Sequence, residues 1–213
     1  MSRENDQTIE VYERFGGRYL ERNQNDIKND PKARDNDDKH VLQLKEYLKG
    51  LPKDAKIFEV GSAGGRDAKI FQSLGYKNIV VSDVANRFLR LLKEEGFSPT
   101  YFNLITDNFL EKYDFIYCWA VLVHFTRNEA KVAIKKMFEA LENYGRLALC
   151  VQCRDGVKED WVDRDGKIGA KRYFSYWTKD ELYECMVGAG FRKVIIESHE
   201  GTKSCWIRCY AEK

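Results

Sequence analysis

The chain carries almost no net charge: 36 Lys plus Arg stand against 34 Asp plus Glu, a balance of +2. A protein that binds nucleic acid or an anionic membrane through electrostatics needs a basic excess, so neither partner is expected. A long apolar run is also missing. The longest, Phe115 to Val123, is about half of the roughly 20 residues that cross a bilayer, and the opening Met-Ser-Arg-Glu-Asn-Asp holds no apolar segment of a signal peptide. There is no internal repeat and no low-complexity tract. The expectation is a cytoplasmic monomer or homodimer.

What is present suits a folded core: 43% hydrophobic residues, with 12 Phe, 12 Tyr and 4 Trp in 213 residues. That length favours one domain over residues 1–213. Six cysteines raise the question of zinc, because Cys150 and Cys153 form one donor couple and Cys205 and Cys209 another. Both couples fall in strand-like runs, where side chains alternate faces, so positions 150 and 153 point apart. No metal is expected, and the cysteines read as reduced, buried thiols.

From residue 56 onward, β-branched runs alternate with helical stripes, the pattern of βα units and a parallel sheet. The strand-like runs are Lys56–Val60, Asn78–Ser82, Pro99–Asn103, Tyr113–Trp119 and Gly145–Val151. Thr126-Arg-Asn-Glu129 and Thr178-Lys-Asp-Glu181 read as capping boxes that open two helices. Two more strands, Phe191–Glu197 and Ser204–Tyr210, follow around Glu200-Gly201 and predict a terminal antiparallel hairpin. Upstream, Thr8–Arg22 and Asp38–Leu48 read as helices separated by a mobile polar loop, Asn23–Asp37. Cys153–Arg172 reads as a long loop with turns at Asp155-Gly156 and Asp165-Gly166, the length of a functional lid.

Chemistry concentrates at Ile57-Phe-Glu59-Val-Gly61-Ser-Ala63-Gly64-Gly65-Arg66, a strand running into a glycine-rich turn and a helix. Small residues at 61, 63 and 65 are expected to clear Cβ atoms from the path of a ligand that touches the backbone. A dinucleotide fingerprint needs a small residue where Arg66 stands, which disfavours a nicotinamide-dependent oxidoreductase. Asp83, at the end of the next strand, is placed to accept hydrogen bonds from ribose hydroxyls.

These residues resemble class I S-adenosylmethionine-dependent methyltransferases of the compact small-molecule type. Glu59 to Gly65 match the family's first motif, with Ala63 in place of its middle glycine; Asp83 matches the ribose acid, with Val84 beside it. Asn103-Leu104 stand at the adenine position, and Tyr113 to His124, including Cys118 and Trp119, match the fourth-strand motif. The resemblance implies a Rossmann-like, seven-stranded, mostly parallel sheet ending in an antiparallel hairpin, with helices on both faces, S-adenosylmethionine as cofactor, and methyl transfer to an O, N or S nucleophile of a small molecule. A cofactor-binding protein without catalysis is the alternative.

Residues 1–50 then form a helical lid, in which Tyr12, Arg18 and Tyr19 are cofactor candidates. Aromatic faces suit a sulfonium, and Arg18 or Arg66 suits the methionine carboxylate. His124, after the fourth strand, is the candidate base. Residues 154–177 form a possible cap, with Tyr173, Tyr176 and Trp177 on the acceptor wall. His40 and His199 have no motif around them and read as surface residues.

Overall fold

The fold is described, for residues 2–163, 168–200 and 205–213, from a computed structural model of the chain. Its strands are β1 (Ile57–Val60), β2 (Ile79–Asp83), β3 (Thr100–Tyr101), β4 (Tyr113–Trp119), β5 (Leu141–Cys153), β6 (Glu159–Val162), β7 (Arg172–Ser175), β8 (Lys193–Glu200) and β9 (Cys205–Glu212). Its helices are α1 (Arg3–Asn29), α2 (Pro31–Tyr47), α3 (Arg66–Ser73), α4 (Asn86–Glu94), α5 (Arg127–Ala140) and α6 (Lys179–Ala189). Seven strands form one sheet in the order β3-β2-β1-β4-β5-β9-β8. The β3-β2-β1-β4-β5 half is parallel, and β9 pairs antiparallel with both β5 and β8. The parallel half is what the βα alternation predicts, the end is the expected antiparallel hairpin, and the seven-stranded whole is the Rossmann-like sheet that the resemblance implies.

Period-two alternation divides the core between the two faces of the sheet. Phe58, Val60, Ile116, Leu147 and Leu149 pack against Ala133, Ile134 and Met137 of α5 and Leu182 and Met186 of α6. Ile57, Phe115, Tyr117 and Ala148 face Leu44 and Tyr47 of α2 and Phe71 of α3. Both expected capping boxes are formed, at Thr126 with Glu129 and at Thr178 with Glu181.

The expected loop over Asn23–Asp37 is instead the end of one helix and the start of the next. Asp30 accepts from the Lys32 amide as N-cap, and Pro31 occupies the first helical position, a start signal inside a stretch whose polarity resembles a loop. The long connection after β5 is likewise not structureless, because β6 and β7 pair antiparallel as a separate ribbon. The turns expected at Asp165-Gly166 and at Gly201 lie outside the described residues.

The reading of six reduced thiols is also corrected. Cys153 and Cys205 face each other in the β5–β9 register, with Cα atoms 5.2 Å apart, and are joined as a disulfide. Their sequence separation of 52 hid a cross-strand neighbour relation. Cys118, Cys150, Cys185 and Cys209 are free. The bond ties the end of β5 to the start of β9, so Cys153→Ser should lower stability by about 2–4 kcal/mol in urea titration. Alkylation of the unfolded, unreduced chain should label four cysteines, and labelling of all six would refute the pairing.

Candidate active site

β1 lies between β2 and β4, so the chain leaving it rises at the point where the strand order reverses. To turn back into α3 within a few residues, the backbone takes left-handed φ values of 72° at Gly61, 47° at Ala63 and 75° at Gly65. Only the alanine departs from the glycine rule, at a cost of about 1–2 kcal/mol. The strain is held by a network beneath the turn. The Ser62 hydroxyl donates to Glu59 Oε2 (2.8 Å), the Ser62 amide to the Ser82 carbonyl (2.8 Å), and the Ser82 hydroxyl to the Glu59 carbonyl (2.7 Å). Asp83 accepts from the Ala63 amide (3.0 Å) through one oxygen and from the Ala85 amide (2.9 Å) through the other.

These carboxylates are buried in unequal settings. Burial pushes Glu59 up to about 8, reinforced by the Asp67 carboxylate and opposed by the Ser62 hydroxyl and Arg66. Burial likewise lifts Asp83 to about 6, against the amides of Ala85, Ala63 and Val84. Burial would raise Asp67 too, but Arg66 and His40 hold it well below the usual carboxylate range. His40 Nε2 lies 3.0 Å from Asp67 Oδ1 and 2.9 Å from a guanidinium nitrogen of Arg66.

A cavity of about 330 Å³ opens beside the turn, between α1 and α2 and the carboxyl ends of β4 and β5, and extends to β9. A chain of polar contacts runs along its wall. Arg172 donates to the Tyr12 hydroxyl (2.6 Å), which lies 2.9 Å from His124 Nε2, while His124 Nδ1 lies 2.7 Å from the Tyr173 carbonyl oxygen. A carbonyl only accepts, so Nδ1 carries a proton, and in the neutral imidazole Nε2 holds the lone pair that accepts from Tyr12. Burial, only partly offset by Arg172, pushes the Tyr12 phenol up to about 12.

A family model described as a methyltransferase domain matches residues 33–195. The chain belongs to the class I S-adenosylmethionine-dependent methyltransferase family. No curated protein sequence matches the chain. Among solved structures, magnesium protoporphyrin IX methyltransferase from Synechocystis PCC 6803 with bound S-adenosylmethionine is similar at 14% identity and TM-score 0.73, covering 100% of this chain and 98% of that one. A methyltransferase from Methanosarcina mazei aligns at 17% identity and TM-score 0.68, covering 80% and 96%. The 1,6-didemethyltoxoflavin-N1-methyltransferase of Burkholderia thailandensis aligns at 18% identity and TM-score 0.62, covering 80% and 76%.

In this methyltransferase Tyr12, Tyr19, Trp119 and His124 are brought together on the cavity, and Arg66 joins them. Glu59, Gly61, Ala63, Gly65, Asp83 and Val84 are not among the residues that line it. Leu20 of α1 lies against Gly64, within 3.1 Å of where a Cβ would sit, and Val121 lies against Gly61. Other candidates are elsewhere. Arg18 is exposed and lies beside Gly169 instead of the cavity. Cys118 and Leu104 are core residues, and Asn103 Oδ1 already accepts from the Ile105 amide (3.0 Å).

The expected acceptor wall is not formed by Tyr173, Tyr176 and Trp177. Alternation along β7 turns Arg172 and Phe174 to the cavity and sends the Tyr173 hydroxyl to Glu159 (2.5 Å), while Tyr176 and Trp177 join the core. Nor are the other two histidines surface residues: His40 is buried and His199 half-buried, and both line the cavity. Trp206 and Arg208 line it too, a placement foreshadowed by the alternation of Ile207, Cys209 and Ala211 into the core.

The space argument for Gly65 is also corrected. A Cβ there would meet Leu92 (3.0 Å) and Phe97 (3.1 Å), not a ligand. Gly65→Val should therefore lower the melting temperature of the free protein, and a variant that only lost ligand affinity would contradict this placement. Glu59 yields a pH test: with its value raised from 4.5 to about 8, the folded state holds the proton more tightly than the unfolded one, so the destabilisation is absent below 4.5 and grows towards pH 8. Glu59→Gln should be more stable than wild type at pH 8, with the gain gone at pH 4; equal urea midpoints at both would refute the assignment.

Proposed function

We propose that this chain transfers a methyl group from S-adenosylmethionine to an O, N or S nucleophile of a small molecule held in the cavity. The observation that carries the reading is the left-handed turn clamped by Asp83 and opening beside an aromatic, partly closed cavity at the carboxyl edge of the sheet. Small-molecule acceptors are supported by the near-zero net charge and by similar folds that are methyltransferases of magnesium protoporphyrin IX and of 1,6-didemethyltoxoflavin.

The residues fit the cofactor. Each Asp83 oxygen keeps acceptor capacity for a ribose hydroxyl after taking one backbone amide. Tyr12, Tyr19 and Trp119 line the cavity and are aromatic residues of the kind that suit a positive centre. Asn103, whose Oδ1 accepts from the Ile105 amide, and Leu104 would stand at the adenine end. When bound, S-adenosylmethionine supplies a methyl group already activated on sulfur.

The chain's own task is to orient the nucleophile, exclude water and take up its proton. A proton leaving the acceptor passes to the Tyr12 oxygen as the Tyr12 proton moves to His124 Nε2. The resulting imidazolium keeps its Nδ1 bond to the Tyr173 carbonyl. Arg172, donating to the same Tyr12 oxygen, stabilises any negative charge that develops there.

Calorimetry with S-adenosylhomocysteine tests the cofactor assignment. Wild type should bind, and Asp83→Asn should bind roughly ten-fold or more weakly, the ~1.5–3 kcal/mol of hydrogen bonds to a charged acceptor. Because burial lifts Asp83 to about 6, affinity should be level above pH 6 and fall below it as the carboxylate protonates. No heat with wild type, or an unchanged affinity in Asp83→Asn, would overturn the assignment.

A further inference from the structure

The cavity holds more positive charge than its own carboxylates neutralise. Arg66 is paired with Asp67 (2.8 Å) and Asp37 (3.2 Å), and Arg22 with Asp26 (3.6 Å). Arg172 and Arg208 also line the cavity, and among the described residues neither has a carboxylate within ion-pairing distance. Arg172 is only 3% exposed. It donates to the Tyr12 hydroxyl and lies 5.2–5.6 Å from the ring centres of Tyr12, Tyr19 and Phe174, but its buried Nε has no hydrogen-bond partner. The Arg208 Nε is in the same condition, with the guanidinium 5.9 Å from the Trp119 ring.

A buried guanidinium without a counter-charge is costly, and an oxyanion that accepts from it removes the cost. Position decides which anion. On the proposed placement the methionine end of the cofactor would lie beside the turn after β1, on the side of Arg66. Arg208 is on β9, three strand spacings from β1 in the order β1-β4-β5-β9, about 14 Å at 4.7–4.9 Å each. Arg172 is on β7 and shares Tyr12 with His124, the pair to which the reactive atom of the acceptor must come.

On the methyltransferase reading, we infer that the methyl acceptor is an aromatic carboxylate: its acid group is held by Arg172 and Arg208, and its ring lies among Tyr19, Trp119 and Phe174. A neutral acceptor would leave the buried Arg172 guanidinium without a counter-charge and the buried Arg208 Nε without an acceptor, and a large polyanion would not fit a cavity of about 330 Å³.

The test is calorimetry on the full chain saturated with S-adenosylhomocysteine, titrated with benzoate and 2-naphthoate and with their uncharged amides. Both acids should bind, the amides roughly ten-fold or more weakly. Arg208→Gln and Arg172→Gln should weaken the acids by a similar factor with S-adenosylhomocysteine affinity unchanged, and Arg208→Lys should recover part of the loss. Unchanged melting temperature for Arg208→Gln separates lost recognition from lost folding. The inference is overturned if acids and amides bind alike, if no acid binds the saturated protein, or if the glutamine variants weaken S-adenosylhomocysteine and spare the acids, which would assign these arginines to the cofactor. Absence of S-adenosylhomocysteine binding in wild type would instead overturn the cofactor reading on which this inference rests.

Discussion

The turn after β1 sets the geometry on which the rest of the site depends. A chain that leaves a central parallel strand and must enter a helix almost at once has few backbone paths, and this one uses three left-handed residues, Gly61, Ala63 and Gly65. Such a turn does not hold itself. Asp83 accepts from the Ala63 amide on one side and from the Ala85 amide on the other, so one carboxylate locks the β1–α3 turn to the β2–α4 turn. Glu59 closes the network from below through Ser62, and its cost is a buried carboxyl that favours its proton near neutrality.

Above that platform the long first helix is attached by polar contacts at one end and by close packing at the other. The Ser2 amide donates to Glu129 of the α5 capping box (2.6 Å), and Thr8 accepts from the Tyr173 amide (3.1 Å). Further along, Gly16 and Gly17 allow the helix to lie directly on Phe88 and Arg87 at the start of α4, and a Cβ at Gly16 would lie 2.8 Å from the Phe88 ring. The helix therefore reaches the turn at a fixed height, which brings Tyr12 within hydrogen-bond distance of both His124 and Arg172.

The α/β architecture was legible because its signals are local. Apolar stripes, C-terminal glycines and two capping boxes each need only a window of a few residues, and Thr126 and Thr178 cap as expected. Trp119, Tyr12, Tyr19 and His124 were legible as cavity residues because a motif or a helix face marks them. The disulfide, the His40–Asp67–Arg66 network and the Arg172–Tyr12 bond were not, since each joins segments far apart in sequence. Tyr176 and Trp177 misled for a different reason. Aromatic density marks a core as readily as a binding wall, and only the register of β7 shows that Phe174 is the ring that faces the cavity.

Charge is distributed along the cavity in a way that fits a division of labour. Near the turn, Arg66 is enclosed by Asp67, Asp37 and His40, so its charge is largely spent within the protein. Farther along the sheet edge neither Arg172 nor Arg208 forms an ion pair among the described residues, although Glu197 stands opposite Arg208 in the β8–β9 register, and both arginines line the cavity. The Cys153–Cys205 bond lies at this second end, fixing the β5–β9 register from which Gln152, Trp206 and Arg208 project. A guanidinium can select an anion only if it is held still, because freedom lost on binding subtracts from the attraction. The covalent tie at the start of β9 thus gives Arg208 the rigid base that recognition needs, while Arg172 is held by Tyr12 and the rings around it.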